Sequence, residues 1–552
     1  LSIVWETTVL LLPEVVLSMA ACVAMLGATF SVAPRIWPVF TLLSIAVAAV
    51  CLLVGDLSVP TAANVSAIAI DDLSQSIRWF TVLLAAGLTL AAASSQSESD
   101  TSGEFHGLLL LAVVGTMLAA SANDLITLFL SLELLSVPTY VLLYLGRRDY
   151  ASQESAVKYF LLSVLSSALL MYGFGLVYCL TGSTNLTVVR TVLVAAAPGG
   201  AIGTGLAPVG IAALLLVFAG LGFKLAAVPF HFYAPDVYEG TTNFNAAVLS
   251  IAPKAAGLIA LIRVANVALT GYEAPAMIIA LIVSAATMTL GNCLALLQSN
   301  LRRMLAYSGV AHAGYMLLGI AVGFWDQSAP GGGSAGLGLV AGGVQAAVVY
   351  LLAYGVASLG LFAALIYLSQ EGKQIDHVED LTGLSRTHLV PALIAALCLF
   401  SFMGIPPLPG FWAKLSVFMG ALNSRPDGSS GPHLGFLVVS IVGMLNAAVG
   451  AAYYLRIIGV MFLNEPVSTP QPSGGRGAYV TMLASGVAVV ILGIAPALLM
   501  NTAGNFRLPT TPVRATASEQ ARPARPDEVP PTGSGPVIAR HVDSSPTESR
   551  VP

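Results

Sequence analysis

Five ionisable side chains fall deep inside apolar runs of this sequence. They are Glu133 in DLITLFLSLELLSVPTY, Lys224 in GFKLAAVPFHFYAPDVYEG, Lys254 in SIAPKAAGL, His312 in LAYSGVAHAGYMLLG and Lys414 in GIPPLPGFWAKLSVF. A charge at the centre of a membrane helix costs about 2.5–3.5 kcal/mol on insertion scales unless it is paired or hydrated. Glu133 lies nine residues beyond Asp124, roughly 14 Å along a helix rising about 1.5 Å per residue, which puts it near the midplane. Static ion pairs locking helices together would be one use for such charges, but three lysines and one acid cannot all pair. A carboxylate beside a desolvated lysine can switch that lysine between charged and neutral forms. A row of such groups is what proton transfer across a membrane requires. For Lys158, near the cytoplasmic start of its apolar run, two readings stay open: membership of the row, or a long side chain that snorkels to the headgroups. Glu14 and Asp124, near the ends of their runs, read as structural or as groups at a channel mouth.

The prolines beside two of these lysines imply broken helices. Pro229 and Pro235 follow Lys224, while Pro406, Pro407 and Pro409 precede Lys414. Each proline removes a backbone donor, and unwound backbone at membrane depth is tolerated only inside protein or beside a wet cavity. Lys224 is five residues before Pro229 and Lys414 five after Pro409, so each half of the chain has one broken helix with a lysine beside its break. Paired interrupted spans point to an inverted-repeat transporter with its ion path at the midplane.

The elements that must carry these groups are membrane helices. Of 552 residues, 57% are hydrophobic and 9% charged, far from the make-up of a soluble domain. The apolar runs are long and lack period-2 alternation, which favours helices over a barrel. About fourteen spans of the usual ~20 residues fit. The first seven lie near 8–28, 36–54, 73–93, 106–122, 124–145, 154–181 and 208–240. The others lie near 244–270, 274–297, 301–324, 337–369, 389–424, 434–463 and 478–500. The expected fold is an all-α polytopic membrane protein with two inverted five-helix repeats, spans four to eight and nine to thirteen, broken in spans seven and twelve.

In segments, this gives three N-terminal helices (1–104), a first repeat (105–270), a second repeat (271–463), a last helix (464–500) and a Pro- and Arg-rich tail (501–552) expected to be disordered. The start lacks a basic region and carries Glu6 and Glu14, so it reads as a retained span and not as a cleaved signal. Loops after odd-numbered spans hold Arg35, Arg147, Arg148, Arg302, Arg303, Lys373, Arg386 and Arg476; the opposite loops hold mainly Arg190 and Arg425. An even number of spans then places both termini on the outer side.

Other chemistries find little support. The net charge of −4 is spread over many loops and implies no nucleic-acid partner. Cys22, Cys51, Cys179, Cys293 and Cys398 lie inside apolar runs without CxxC spacing, which argues against disulfides, zinc and iron–sulfur ligation. GGGSAG at 331–336 matches the dinucleotide pattern GxGxxG formally, but it follows WDQSAP and no strand, so it reads as a flexible connector.

Three of the stretches, KLAAVPFHFYAPDVYEG, NLRRMLAYSGVAHAGYMLLG and GIPPLPGFWAKLSVF, occur in the order found in a known family. Across roughly residues 1–500 the sequence resembles the antiporter-like, proton-pumping membrane subunits of bacterial NADH-quinone oxidoreductase (respiratory complex I), and most of all their N-subunit branch. The resemblance implies that Glu133 pairs with Lys224, that Lys254 and His312 belong to a central hydrophilic axis, and that Lys414 is the terminal lysine near the outer exit. A lysine in span twelve departs from the M subunit, where a glutamate is expected, and no long amphipathic helix follows span fourteen as in the L subunit. TTN at 241–243 departs from the small residue and proline more usual in the family.

The resemblance further implies a proton-translocating subunit of the bacterial inner membrane with no cofactor of its own. FMN, iron–sulfur clusters and quinone would sit in other subunits. Its partners would be the lipid bilayer and other membrane-arm subunits, especially K, M and the lateral helix of L. Two other readings are a subunit of a multisubunit Na+/H+ antiporter and a scaffold that does not pump.

Overall fold

In a computed structural model, the described residues are 10–30, 33–58, 63–65, 67–96, 101–147, 149–196, 207–269, 271–328, 342–369, 375–424, 433–466, 472 and 474–504. They belong to one compact unit, Leu1–Leu508. The GGGSAG stretch, Arg148, Lys373, Arg425 and the tail beyond 504 lie outside them.

The chain is an all-α polytopic membrane protein. It begins with α1 (Leu12–Gly27) and α2 (Ile36–Ser58), then a short hairpin, β1 (Ala63–Val65) and β2 (Ile68–Ile70). Next come α3 (Asp72–Gln96), α4 (Ser102–Ser121), α5 (Leu125–Gly146), α6 (Tyr150–Thr181) and the short α7 (Leu186–Ala196). Then follow α8 (Ala207–Leu225), α9 (Tyr233–Gly240) and α10 (Asn243–Leu261), which runs on as a π-helical turn over Ile262–Ala268. The second half holds α11 (Glu273–Leu296), α12 (Leu301–Ser328), α13 (Gly343–Leu368), a one-turn α14 (Leu384–Thr387), α15 (Leu389–Met403) and α16 (Pro409–Asn423). It ends with α17 (Leu434–Leu463), α18 (Gly475–Ile494) and α19 (Ala497–Gly504). Twelve helices among the described residues are long and apolar enough to cross a membrane.

Local chemistry sets several of the helix ends. Asp124, Asp149 and Thr242 cap α5, α6 and α10 by accepting backbone N–H bonds, which satisfies donors a helix start leaves free. Gly182 ends α6 in the left-handed conformation. A described helix lies in each expected stretch, although 8–9, 270 and 337–341 fall outside the described residues, and stretches seven and twelve each hold two helices, α8–α9 and α15–α16. The last span is also split, and α19 carries helix to Gly504, past the expected start of the tail at Asn501. The β-hairpin and α7 were not foreseen; both are short segments between spans, and a three-residue strand is too brief for alternation to register.

Burial sorts the helices by role. The apolar windows of α10, α12 and α13 are 94% buried inside the protein, against 33% for α2 and α17. The central three are therefore surrounded by protein, while the outer ones present broad faces such as Val438, Ile441, Leu445 and Leu455. Away from this centre, Arg78 on α3 makes a two-pronged bond to Glu14 on α1, with both N···O distances 2.7 Å and both side chains buried. Arg263 likewise grips Asp71 at 2.8 and 2.9 Å while also donating to the Ala120 carbonyl. Glu14 and Asp124 are thus structural: the first is an interhelical tie and the second a helix cap.

Candidate functional site

The broken helices place the lysines. α8 ends at Leu225, and the chain turns through Ala226, at φ 56°, to the cis Val228–Pro229 bond. α15 ends at Met403, and Gly404, at φ 84°, leads to the cis Pro406–Pro407 bond. Of the prolines expected to break helices, Pro229, Pro406 and Pro407 lie in the breaks. Pro235 and Pro409 lie instead in the first turns of α9 and α16, where a helix makes no use of the missing N–H. Pro138 and Pro253 sit inside α5 and α10 without ending them.

Lys224 is on the last turn of α8, 2% exposed. Its ammonium donates to Ser136 Oγ on α5 at 2.5 Å and to Ser163 Oγ on α6 at 3.1 Å, and stands 3.9 Å from Glu133 Oε1. Ser167 donates to the same Glu133 oxygen at 2.5 Å, and Tyr140 donates to Ser163 at 2.6 Å. The pairing expected between Glu133 and Lys224 is present, with hydroxyls that the expectation lacked. Hydroxyls can accept from an ammonium and donate to a carboxylate, so they serve either charge state of the pair.

Lys224 and Lys254 line one cavity with Tyr233, Tyr238 and Pro253. It offers about 10 Å³ to the centre of a water-sized sphere, close to what one water needs. The Lys254 ammonium stands 5.4 Å from the centre of the Tyr354 ring, and that ring is 4.9 Å from the imidazole of His312. His312, Tyr350, Tyr354, Ser401, Phe402 and Gly410 share a second small cavity. His312 bonds Tyr350 OH through Nδ1 at 2.8 Å and Tyr454 OH through Nε2 at 3.1 Å.

Lys414 on α16 reaches back to the end of α15. Its ammonium donates to the carbonyls of Phe402 and Met403, both at 2.9 Å, and lies 5.1 Å from the centre of the Tyr315 ring. The last carbonyls of a helix lack intrahelical partners and form its negative pole, so a cation there is held without a carboxylate. Tyr315 in turn stacks on Tyr350, with ring centres 5.8 Å apart.

Lys158 is not in this buried row. It is part-exposed on α6 and pairs with Glu154 at 2.7 Å and Asp236 at 3.1 Å. Arg303 joins the same cluster through Asp236 at 3.0 Å and Glu239 at 2.5 Å. Asp236 and Glu239 stand in the PDVYEG end of the split span, where depth in an apolar run does not mark them. Ser136, Ser163, Ser167, Tyr350, Tyr354 and Tyr454 carry no charge and do not stand out by that criterion either. The spacing of Tyr350 and Tyr354, and of Ser163 and Ser167, four residues apart and so on one helix face, was the available signal. Among the described residues no group of three or more His, Cys, Asp and Glu side chains could hold a metal ion.

Residues 122–330 and 333–452 match the family described as NADH:quinone oxidoreductase/Mrp antiporter, TM. The chain is similar to NADH-quinone oxidoreductase subunit N of Rhodospirillum rubrum, 36% identical over 423 residues that make up 76% of this chain and 80% of that protein. Against subunit N of Paramagnetospirillum magneticum the identity is 32%, over 89% of this chain and 96% of the relative. Its fold is similar to a chain of respiratory complex I from Thermus thermophilus with bound aureothin, with TM-score 0.71 and 31% identity across 90% of this chain and 100% of that one. A chain of the Mrp complex from Dietzia sp. shares the fold, with TM-score 0.73 at 20% identity across 91% of this chain and 96% of that one.

Proposed function

We propose a function from one premise: the chain belongs to the N-subunit family of NADH-quinone oxidoreductase, the antiporter-like membrane subunits of respiratory complex I. It is a multi-pass protein of the bacterial inner membrane and a membrane-arm subunit that takes part in proton translocation. In our reading the proton path is the buried row Glu133, Lys224, Lys254, His312 and Lys414, with Tyr354 between Lys254 and His312 and Tyr315 beside Lys414. Lys158 belongs to the ionic cluster with Asp236, Glu239 and Arg303, where it orders the mouth of the first half.

The observation that carries this reading is the Lys224 ammonium, buried on a broken helix, 3.9 Å from Glu133 and bonded to two serine hydroxyls. A lysine so placed can change charge as the acid beside it moves or is protonated. Adding α1 and the α15–α16 pair to the long helices gives fourteen crossings. The matching breaks in α8–α9 and α15–α16 support two inverted five-helix repeats, over 105–270 and 271–463, flanked by the helices of 1–104 and 464–500. Both termini then lie on the outer side by the placement of the loop arginines. Within the complex, the K and M subunits and the lateral helix of L are the neighbours we assign.

Proton pumping and NADH-driven quinone reduction in membranes carrying Lys224→Ala, with complex assembly checked in the same preparation, test this. Loss of both activities in an assembled complex is expected; persistence of both would make the charge structural and end the proposal. The shared Mrp fold favours one second reading, a Na+/H+ antiporter subunit, which would appear as Na+-driven proton movement without NADH.

A further inference from the structure

His312 is held through both ring nitrogens by tyrosine hydroxyls from two different helices. Tyr350 of α13 meets Nδ1 and Tyr454 of α17 meets Nε2. A neutral imidazole has one N–H donor and one bare acceptor nitrogen, so one tyrosine must donate to it and the other must accept from it. Their own surroundings decide which. Tyr454 OH also touches Ser308 Oγ at 2.5 Å, so its hydrogen has an acceptor when its oxygen receives Nε2–H. Tyr350 OH has His312 as its partner among the described residues. Were Nδ1 the protonated nitrogen, the Tyr350 hydroxyl hydrogen would be buried without an acceptor, which is costly.

We propose that Tyr350 and Tyr454 are positioning residues that hold His312 in the tautomer with its hydrogen on Nε2, leaving Nδ1 as the nitrogen that takes up a proton. This rests on the reading that His312 carries protons. Tyr350 lines the small cavity beside the ring, shared with Tyr354 and Ser401. A proton arriving there adds to Nδ1, and the imidazolium so formed keeps its Nε2–H donated to Tyr454, whose own hydrogen is accepted by Ser308. Ser308 and His312 are four residues apart on α12 and so lie on one face. The serine therefore anchors Tyr454 as an acceptor of Nε2–H, and the tautomer fixes which side of the ring takes up the proton. The titratable and charged groups that face the ring are Lys254, Lys414, Tyr315, Tyr350, Tyr354 and Tyr454.

The two hydroxyl bonds have opposite effects on the ring's appetite for a proton. Tyr350 donates to the nitrogen that must accept, so on protonation its hydroxyl has to turn round and its own hydrogen loses its acceptor; the bond to Tyr454 is charge-assisted in the imidazolium and strengthens. Tyr350→Phe should therefore move the pH midpoint of NADH-driven proton pumping upward, and Tyr454→Phe should move it downward. Each shift should be about 0.5 to 1 pH unit, as expected for one hydrogen bond.

Measurements use the assembled complex in membranes over a range of pH, with His312→Ala and Tyr367→Phe beside them. Tyr367 is on the same helix as Tyr350 but packs on Tyr479, with ring centres 5.2 Å apart. Opposite shifts, with Tyr367→Phe matching the parent, establish the proposal. Shifts of reversed sign, no shift in either variant, or the same shift in Tyr367→Phe and Tyr454→Phe overturn it. If His312→Ala pumps like the parent, the role of His312 itself falls, and with it the reading on which the inference rests.

Discussion

The two broken helices use the same device and hold their lysines by different means. At the first, the Lys224 ammonium is fixed by groups on two other helices: Ser136 and Glu133 on α5 and Ser163 on α6. At the second, Lys414 is fixed by the backbone of its own broken span, the Phe402 and Met403 carbonyls. The first arrangement contains a carboxylate within ion-pair distance; the second offers peptide dipoles and the face of the Tyr315 ring. A charge change at Lys224 is thus felt by a neighbouring helix through Glu133, whereas a charge change at Lys414 is felt by the end of α15. The turns differ too. Both need a left-handed residue, supplied by Ala226 at φ 56° in one and by Gly404 at φ 84° in the other.

The largest expected effect tests whether both lysines must lose their proton. Arginine keeps the charge but cannot be deprotonated in proteins. Lys224→Arg and Lys414→Arg should each lower NADH-driven proton pumping in an assembled complex by roughly a hundredfold, the scale of a lost acid–base group. Normal pumping by Lys414→Arg alone would show that the carbonyl-held lysine serves as a fixed charge, and the two breaks would then differ in kind.

Removing the carboxylate sharpens the same contrast, because only the first break has one beside its lysine. Glu133→Ala leaves Lys224 with hydroxyl partners alone, and we expect pumping to fall about tenfold, equivalent to about 1.4 kcal/mol, while the complex still assembles. A rate equal to the parent's would mean that the serines suffice, as the carbonyls do for Lys414.

Smaller effects should come from the turns. Gly404→Ala places a Cβ at a left-handed residue and 3.0 Å from Lys414 Cδ. It should cost about 1–2 kcal/mol, read as a lower temperature for loss of the subunit from the complex, with reduced pumping as the ammonium is pushed from its carbonyls. Ala226→Gly, at the corresponding turn, relieves the same backbone restriction but adds freedom to the unfolded chain. It should stay within about 1 kcal/mol of the parent, on the stabilising side. A destabilised Ala226→Gly would show that the alanine methyl, buried in the core, matters more than its φ.

Much of this protein is a property of the sequence alone. Composition and run length determine that it is a bundle of membrane helices, because a span is a one-dimensional quantity of about 20 apolar residues. The same counting finds the charges at membrane depth and the prolines beside two of them. It cannot tell a proline that breaks a helix from one that starts the next, as with Pro235 and Pro409, because that depends on where the chain resumes its hydrogen bonding.

Tertiary structure decided which groups meet. The buried helices are apolar on all sides, so they carry no amphipathic stripe from which a facing direction can be read. Rotation of α13 about its axis brings Tyr350 and Tyr354 to His312, and packing of α6 against α5 and α8 brings Ser136 and Ser163 to Lys224. Those contacts join residues as far apart in sequence as His312 and Tyr454. They are set by close packing of whole helix faces, which no local pattern encodes.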